Sequence, residues 1–285
     1  MSTVGLVVHG ERRQAADLAR TIAAWLLERG HRVVLPEEDA ARVGVEGGVD
    51  PSRLGLEADV VLSLGGDGTM LRSIDLVASH DVPVLGINIG QLGYLTEVDP
   101  ADWESALSRW LSGEASVEER MLLAVRVERP DGTPGAPPTM ALNEAVLEKT
   151  PMGHTVRMKV HLDGVFFTTY AADGLIVATP TGSTAYSLSA RGPIVAPAHR
   201  AILLTPVSPH MLFDRSLVLE PGTEVGLEVC GHRPATLSVD GRNLGELTEG
   251  DLVVCTAADH NARLVTFGGR DFHQIVKAKF GLEDR

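Results

Sequence analysis

An unbroken apolar strand, "DVVLSL", runs straight into "GGDGT", and the helix-like "MLRSIDLVAS" follows it. A strand that is apolar at consecutive positions is covered on both faces, which is how a strand inside a parallel sheet reads. The same rhythm holds through residue 115. "TVGLVVH" precedes an amphipathic "ERRQAADLARTIAAWLLERG", in which Ala16, Leu18, Ala19, Ile22, Trp25 and Leu26 form a wide apolar stripe and Gly30 supplies a stop. "HRVVL", a helix over 69–79, "VPVLGINI" and the helical "DWESALSRWLSG" continue the alternation. The first 115 residues are therefore expected to form an α/β domain built on a parallel sheet.

From about residue 117 the period changes. "VEERMLLAVRVER", "MALNEAVLEK", "LVLEPGTEVGLEV", "ATLSVDGRNLGEL", "GDLVVCTA" and "RLVTFG" are short strand patterns separated by turn signals, and "VRMKVHLDGVFFTTY" reads as a hairpin turning at Asp163-Gly164. "PDGTPGAPP" reads as an exposed, mobile loop. The expected domains are an α/β unit over 1–115 and an all-β, sandwich-like unit over 116–270, followed by a short amphipathic helix, "DFHQIVKAKFGL".

Composition narrows the function. A formal net charge of −13 argues against broad attraction to nucleic acid or to an anionic membrane surface, but not against local capture of an anionic small molecule by backbone N–H groups. No apolar run approaches the length of a membrane span, and "MSTVGLVVHGERR" reads as a first strand, not a signal peptide. Cys230 and Cys255 sit in strand patterns and are expected to be buried, reduced thiols. Together these point to the cytoplasm. None of the ten histidines has metal-ligand spacing, so no metal ligands are assigned.

Three clusters carry chemistry. Gly65-Gly66-Asp67-Gly68-Thr69 closes a buried strand and opens a helix. Glycines there permit positive φ and close backbone approach, and the helix start supplies free N–H groups, the ingredients of a phosphate cradle. A tight turn in which Asp67 caps the helix would need the same residues. The Walker pattern is absent, since no Gly-Lys pair occurs, and the dinucleotide fingerprint fails at Leu71 and Asn88. A carboxylate beside a phosphate cradle is suited to taking the proton of an attacking hydroxyl. The second cluster, Pro180 to Ser187 after the strand "LIVAT", is dense in hydroxyls and backbone donors that could hold phosphates or sugars, or could simply cap a turn into a helix. The third, Asn143-Glu144 inside an apolar strand pattern, is either a structural pair or a hold on a base edge and ribose hydroxyls.

Gly-Gly-Asp-Gly-Thr, then Asn-Glu about 75 residues on, then Asp-Gly and Thr-Pro-Thr-Gly-Ser-Thr-Ala-Tyr, resembles the NAD kinases. The likeness extends to "SPHMLFDR", "SVDG" and "VKAKFGL" and covers nearly the whole chain. It implies an N-terminal domain of the phosphofructokinase-like type, a C-terminal β-sandwich, and a tail, about 271–285, packing back on the first domain. It implies transfer of a phosphoryl group from ATP, or from another nucleoside triphosphate or polyphosphate, to the 2′-hydroxyl of the adenosine ribose of NAD, giving NADP. NADH is a further candidate acceptor. Mg²⁺ and a homodimer or homotetramer are implied as well. By the same resemblance Asp67 is the base, and Gly65, Gly66 and Gly68 cradle donor phosphate with Arg72 facing it. Asn143 and Glu144 hold the ribose and base edges, and Asp173 meets the nicotinamide end. Thr184, Ala185, Tyr186, Ser187, Leu188 and Ser189 line the adenine and ribose pocket, and His154 reaches the ligand from a neighbouring loop.

Two positions depart from the pattern. Ala171 stands where some relatives carry arginine, which would relax the choice between NAD and NADH. Arg191 stands where relatives usually carry a second glycine, and its guanidinium either adds a phosphate or carboxylate contact or points to solvent. Three alternatives remain: a diacylglycerol-type lipid kinase, disfavoured by "TPTGSTAYS", a non-catalytic NAD(P)-binding sensor that kept the fold, disfavoured by the presence of Asp67, and, least favoured, a phosphofructokinase-like sugar kinase.

Overall fold

A computed structural model describes residues 1–90, 93–133, 137–150, 154–268 and 271–282. The chain divides into two compact units, Met1–Glu119 with His260–Arg285, and Arg120–Asp259.

In the first unit, β1 (Thr3–Val8), α1 (Arg13–Glu28), β2 (Arg32–Val34), α2 (Glu37–Val43), α3 (Leu54–Glu57), β3 (Val60–Gly65), α4 (Asp67–Val77), β4 (Val84–Asn88) and α5 (Trp103–Leu111) follow the expected alternation. The strands lie side by side as β2-β1-β3-β4, all parallel. Every residue of β3 is buried, as its apolar run requires. Leu26, Ile22, Ala19 and Ala15 of α1 pack with Leu6, Leu62, Leu64 and Ile87 of the sheet in one core. Gly30 ends the α1 turn at φ +76°, a value a side chain would resist.

In the second unit come β5 (Ser116–Glu128), β6 (Thr139–Ala141), β7 (Glu144–Lys149), β8 (Val156–Leu162), β9 (Val165–Ala172), β10 (Gly174–Ala178) and α6 (Tyr186–Ser189). Then follow β11 (Ile202–Val207), β12 (Leu217–Leu219), β13 (Val225–Cys230), β14 (Ala235–Val239), β15 (Arg242–Leu247) and the long β16 (Leu252–Thr266), whose residues from His260 on belong to the first unit, where Leu264 pairs with Val84 of β4 in parallel. One antiparallel sheet runs β12-β11-β10-β7-β14-β15, and β16, β13, β8 and β9 form the facing one. Leu147, Leu175 and Leu237 from the first sheet meet Met158, Tyr170 and Leu227 from the other in a single core, so the unit is a β-sandwich. The β8–β9 hairpin turns at Asp163-Gly164 with both φ values positive, as the sequence predicts. The chain closes with α7 (Phe272–Phe280), capped by Asp271 and ended by Gly281 in the left-handed region.

Three expectations need correction. "MALNEAVLEK" is not one strand, because Leu142-Asn143 form a bend between β6 and β7. Cys255 is buried, its thiol pushed up to about 12 by that burial, but Cys230 is only half-buried; both are free thiols. The helix at the glycine turn starts at Asp67, two residues earlier than the pattern suggests. The middle of the "PDGTPGAPP" loop and the last three residues of the expected tail lie outside the described residues.

Candidate functional site

Strand β3 delivers Gly65 to the start of α4, and Asp67 occupies the first helical position with Gly66 as its N-cap. None of Gly65, Gly66 and Gly68 has positive φ, so conformational freedom is not what glycine supplies there. A Cβ at Gly65 would strike the Thr69 side chain, so that glycine is fixed by internal packing. Gly66 and Gly68 face open space. They line a hollow of about 400 Å³ with Asp67, Arg72, and three residues the sequence reading did not single out: His9, Gly10 and Arg12.

Asp67 does not cap its helix. Its carboxylate accepts the backbone N–H of Tyr94 at 2.8 Å and of Leu95 at 3.0 Å. A Cβ at Gly93 would collide with that carboxylate, so glycine is what lets the 93–95 segment close on it. From α7, the Lys279 ammonium stands 4.6 Å over the Tyr94 ring and braces the same segment. Arg72 lines the hollow, but its guanidinium is engaged bidentately with Asp39, at 2.9 and 3.1 Å, and donates to the Val8 carbonyl. Asp39 is fully buried and also accepts from Arg42 and from the Val8 N–H. The pair locks α2 and α4 to the end of β1, and it orients Arg72 at the cost of committing part of its charge.

In the sandwich unit, the Leu142-Asn143 bend is held by a single carboxylate. Asp240 accepts the N–H groups of Leu142, Asn143 and Glu144 at 2.7, 2.9 and 3.0 Å. It does so from the tip of the β14–β15 hairpin, with φ +47° and Gly241 at +76°. Thr179 donates its hydroxyl to the Leu142 carbonyl and accepts the Gly182 N–H. A Cβ at Gly182 would collide with the Asn143 carbonyl, so the two motifs "NE" and "PTGST" abut through a glycine.

Glu144 is 7% exposed, and one carboxylate oxygen has no hydrogen-bond partner. Burial and, secondarily, the neighbouring Asp240 charge push it up to about 8, against the opposing pull of the Tyr186 N–H. Burial likewise raises Asp240, its three accepted N–H bonds opposing. The Tyr186 phenol is pushed up by burial and by the charges of Glu148, Asp173 and Glu144 around it. Asp173 itself is paired with Lys149 at 2.9 Å.

Helix α6 follows the 3₁₀ turn Thr181–Thr184. Thr184 donates its hydroxyl back to the Thr181 carbonyl within the turn, whereas the fully buried Ser187 hydroxyl bonds Thr205 of β11 at 3.1 Å and ties α6 to the sheet. Tyr186 and Ser189 line a second hollow, of about 750 Å³. His154 is exposed just ahead of β8, and the loop expected to carry it falls partly outside the described residues. Asp39, Gly93, Thr179 and Asp240 were missed, although Gly93 and Asp240 stand in the quotable strings "QLGYL" and "SVDG". Among the described residues no group of three or more His, Cys, Asp or Glu side chains could hold a metal ion, and no helix is long and apolar enough to cross a membrane.

A glycine turn bearing one fixed carboxylate beside arginines, in a parallel α/β unit, together with a sandwich carrying a hydroxyl-rich turn, defines a nucleotide-directed kinase. Residues 4–115 match the ATP-NAD kinase N-terminal domain and residues 142–267 the ATP-NAD kinase C-terminal domain. The NAD kinase of Moorella thermoacetica is 41% identical, over 98% of this chain and 89% of the relative. That of Heliobacterium modesticaldum is 40% identical over 98% of both. Yeast NADH kinase, solved with NADH, superposes with a TM-score of 0.91 at 25% identity, covering 100% of this chain and 89% of the other. An Archaeoglobus fulgidus NAD kinase solved with ATP has a TM-score of 0.69 at 24% identity, covering 98% and 96%, and supports the fold. The chain belongs to the NAD kinase family, and the resemblance read from its three motifs is borne out.

Proposed function

We propose that this enzyme transfers a phosphoryl group from ATP to the 2′-hydroxyl of the adenosine ribose of NAD, with Asp67 taking the hydroxyl proton. The observation that carries this is the placement of Asp67: among the described residues it is the only carboxylate on the wall of the 400 Å³ hollow, fixed by two backbone N–H groups beside His9, Arg12 and Arg72. Phosphoryl transfer asks mainly for positioning and charge stabilisation, and a base contributes about 10²–10⁴-fold. Gly66 and Gly68 leave room for donor phosphate, Gly65 keeps the turn closed, and Arg72 presents whatever donor capacity Asp39 leaves free.

Asn143 and Glu144 hold the ribose hydroxyls and the base edge, the unpartnered Glu144 oxygen being a buried acceptor suited to such a hydroxyl. Asp173 meets the nicotinamide end, Thr184, Ala185, Tyr186, Ser187, Leu188 and Ser189 form the adenine and ribose wall, and His154 closes on the ligand. Among the described residues Asp67 is the one carboxylate lining the hollow, a donor set that fits a magnesium ion held mainly by the donor's phosphates and water. When bound, magnesium neutralises charge on the transferring phosphates. NADH is a further acceptor, polyphosphate a further donor, and the working form is a cytoplasmic homodimer or homotetramer. NADP formation from NAD with ATP or polyphosphate and Mg²⁺, read by a strictly NADP-dependent dehydrogenase, tests the reaction. Measurable NAD binding with no NADP from any donor would overturn it.

A further inference from the structure

The 750 Å³ hollow beside α6 is walled by two non-glycine residues in the left-handed region, Arg191 at φ +66° and Ser208 at +46°. Arg191 closes α6. Its N–H bonds the Leu188 carbonyl at 3.0 Å, and the next N–H, of Gly192, bonds the Ser187 carbonyl at 2.8 Å. This is the position after a helix where glycine is the ordinary choice. The glycine at 192 is explained by packing, because a Cβ there would strike the Ser187 hydroxyl. Nothing in the backbone explains arginine at 191, where the chain conformation favours glycine. Side chains kept against such a preference point to function.

What Arg191 adds is charge. Arg215 on the same wall is offset by Asp214 at 3.5 Å, whereas Arg191 forms no ion pair among the described residues. Ser189, Ser208 and Ser216 bring hydroxyls to the same wall, and Ser216 is held from beneath by the buried Thr205 at 3.0 Å. A planar guanidinium sharing a hollow with hydroxyls suits phosphate oxygens. We propose that Arg191 is a phosphate-binding, specificity-determining residue of the dinucleotide site. This rests on the reading above that Tyr186 and Ser189, which share the hollow, face the dinucleotide. The group bound is either the pyrophosphate, common to NAD and NADP, or the 2′-monoester carried by NADP alone.

The test is calorimetric titration of the full chain with NAD and with NADP, for wild type, Arg191→Gly and Arg191→Lys. Glycine relieves the left-handed conformation, so its Tm should equal or exceed that of wild type, and a binding loss cannot be assigned to unfolding. The expected result is a loss of about 10- to 100-fold in affinity for Arg191→Gly, with lysine in between. Loss for both ligands identifies the pyrophosphate; loss for NADP alone identifies the monoester. Dissociation constants within twofold of wild type for both ligands would overturn the assignment while leaving the proposed function intact. Wild type that binds neither ligand would overturn both.

Discussion

Asp67 in the α/β unit and Glu144 in the sandwich are each set next to a glycine-bearing turn, and they are held in opposite ways. Asp67 reaches an open hollow with both oxygens already accepting backbone N–H groups. Glu144 is buried, with one oxygen unpartnered and its carboxyl pushed up to about 8. The first arrangement fixes a group in place, as the base role proposed for Asp67 requires. The second keeps a polar atom waiting at the expense of stability, which suits a group whose partner is a ligand.

The sharpest way to break the contrast is Asp67→Asn. Turnover should fall about 10²-fold or more while NAD affinity stays within a few-fold, measured by steady-state kinetics and calorimetry. Near-normal turnover would remove Asp67 from the base role. Next is Asp240→Ala, which strands the three N–H groups of the 142–144 bend. At about 1–3 kcal/mol for each unsatisfied buried group, a loss of roughly 3 kcal/mol or more is expected in urea unfolding, with weakened NAD binding alongside. Intact binding would separate the bend from the site.

Glu144→Gln sharpens the comparison through pH. A carboxyl near 8 in the native state, against an ordinary 4.5, binds more protons folded than unfolded across that window. Its contribution to stability therefore declines as pH rises from about 4.5 to 8. Glutamine removes that slope, so the variant should gain roughly 2–4 kcal/mol on wild type between pH 5 and pH 8. Equal gains at both pH values would show that Glu144 does not titrate there. The smallest effect is expected from Ala171→Arg. Ala171 lies half-buried in β9 opposite Arg157, and its carbonyl accepts the His210 N–H at 2.8 Å. Activity on NADH relative to NAD should fall several-fold, and an unchanged ratio would mean that position does not set redox choice.

What was legible in the sequence is what local pattern encodes. Consecutive apolar residues marked β3, the stripe from Ala16 to Leu26 marked α1, although the structure buries Ala15 and Ala23 and leaves Ala16 and Leu18 partly exposed, and Asp163-Gly164 marked a hairpin whose two positive φ values only such residues accept readily. The glycine turn was visible, but the reason for its glycines was not, because Gly65 answers to Thr69 and Gly93 to Asp67. The break at Leu142-Asn143 was hidden for the same reason. Its amides are satisfied by a residue 97 positions away and the Leu142 carbonyl by one 37 away, contacts that leave no period in the chain. Arg72 was assigned to phosphate alone, since its partner Asp39, 33 residues earlier, carries no signal of its own.

The Asp240-Gly241 tip has a consequence for how this protein can change. Hairpin tips ordinarily admit insertions and deletions, because they are exposed and carry little of the core. Here the tip supplies the carboxylate that shapes the Asn143-Glu144 bend, and its position depends on the pairing of β14 with β7. A one-residue slip would turn every side chain of β14 to the opposite face and withdraw Asp240 from the three amides it holds. This two-residue turn is therefore closed to length variation, and on the proposed function a register error made while folding would show as a failure to bind NAD.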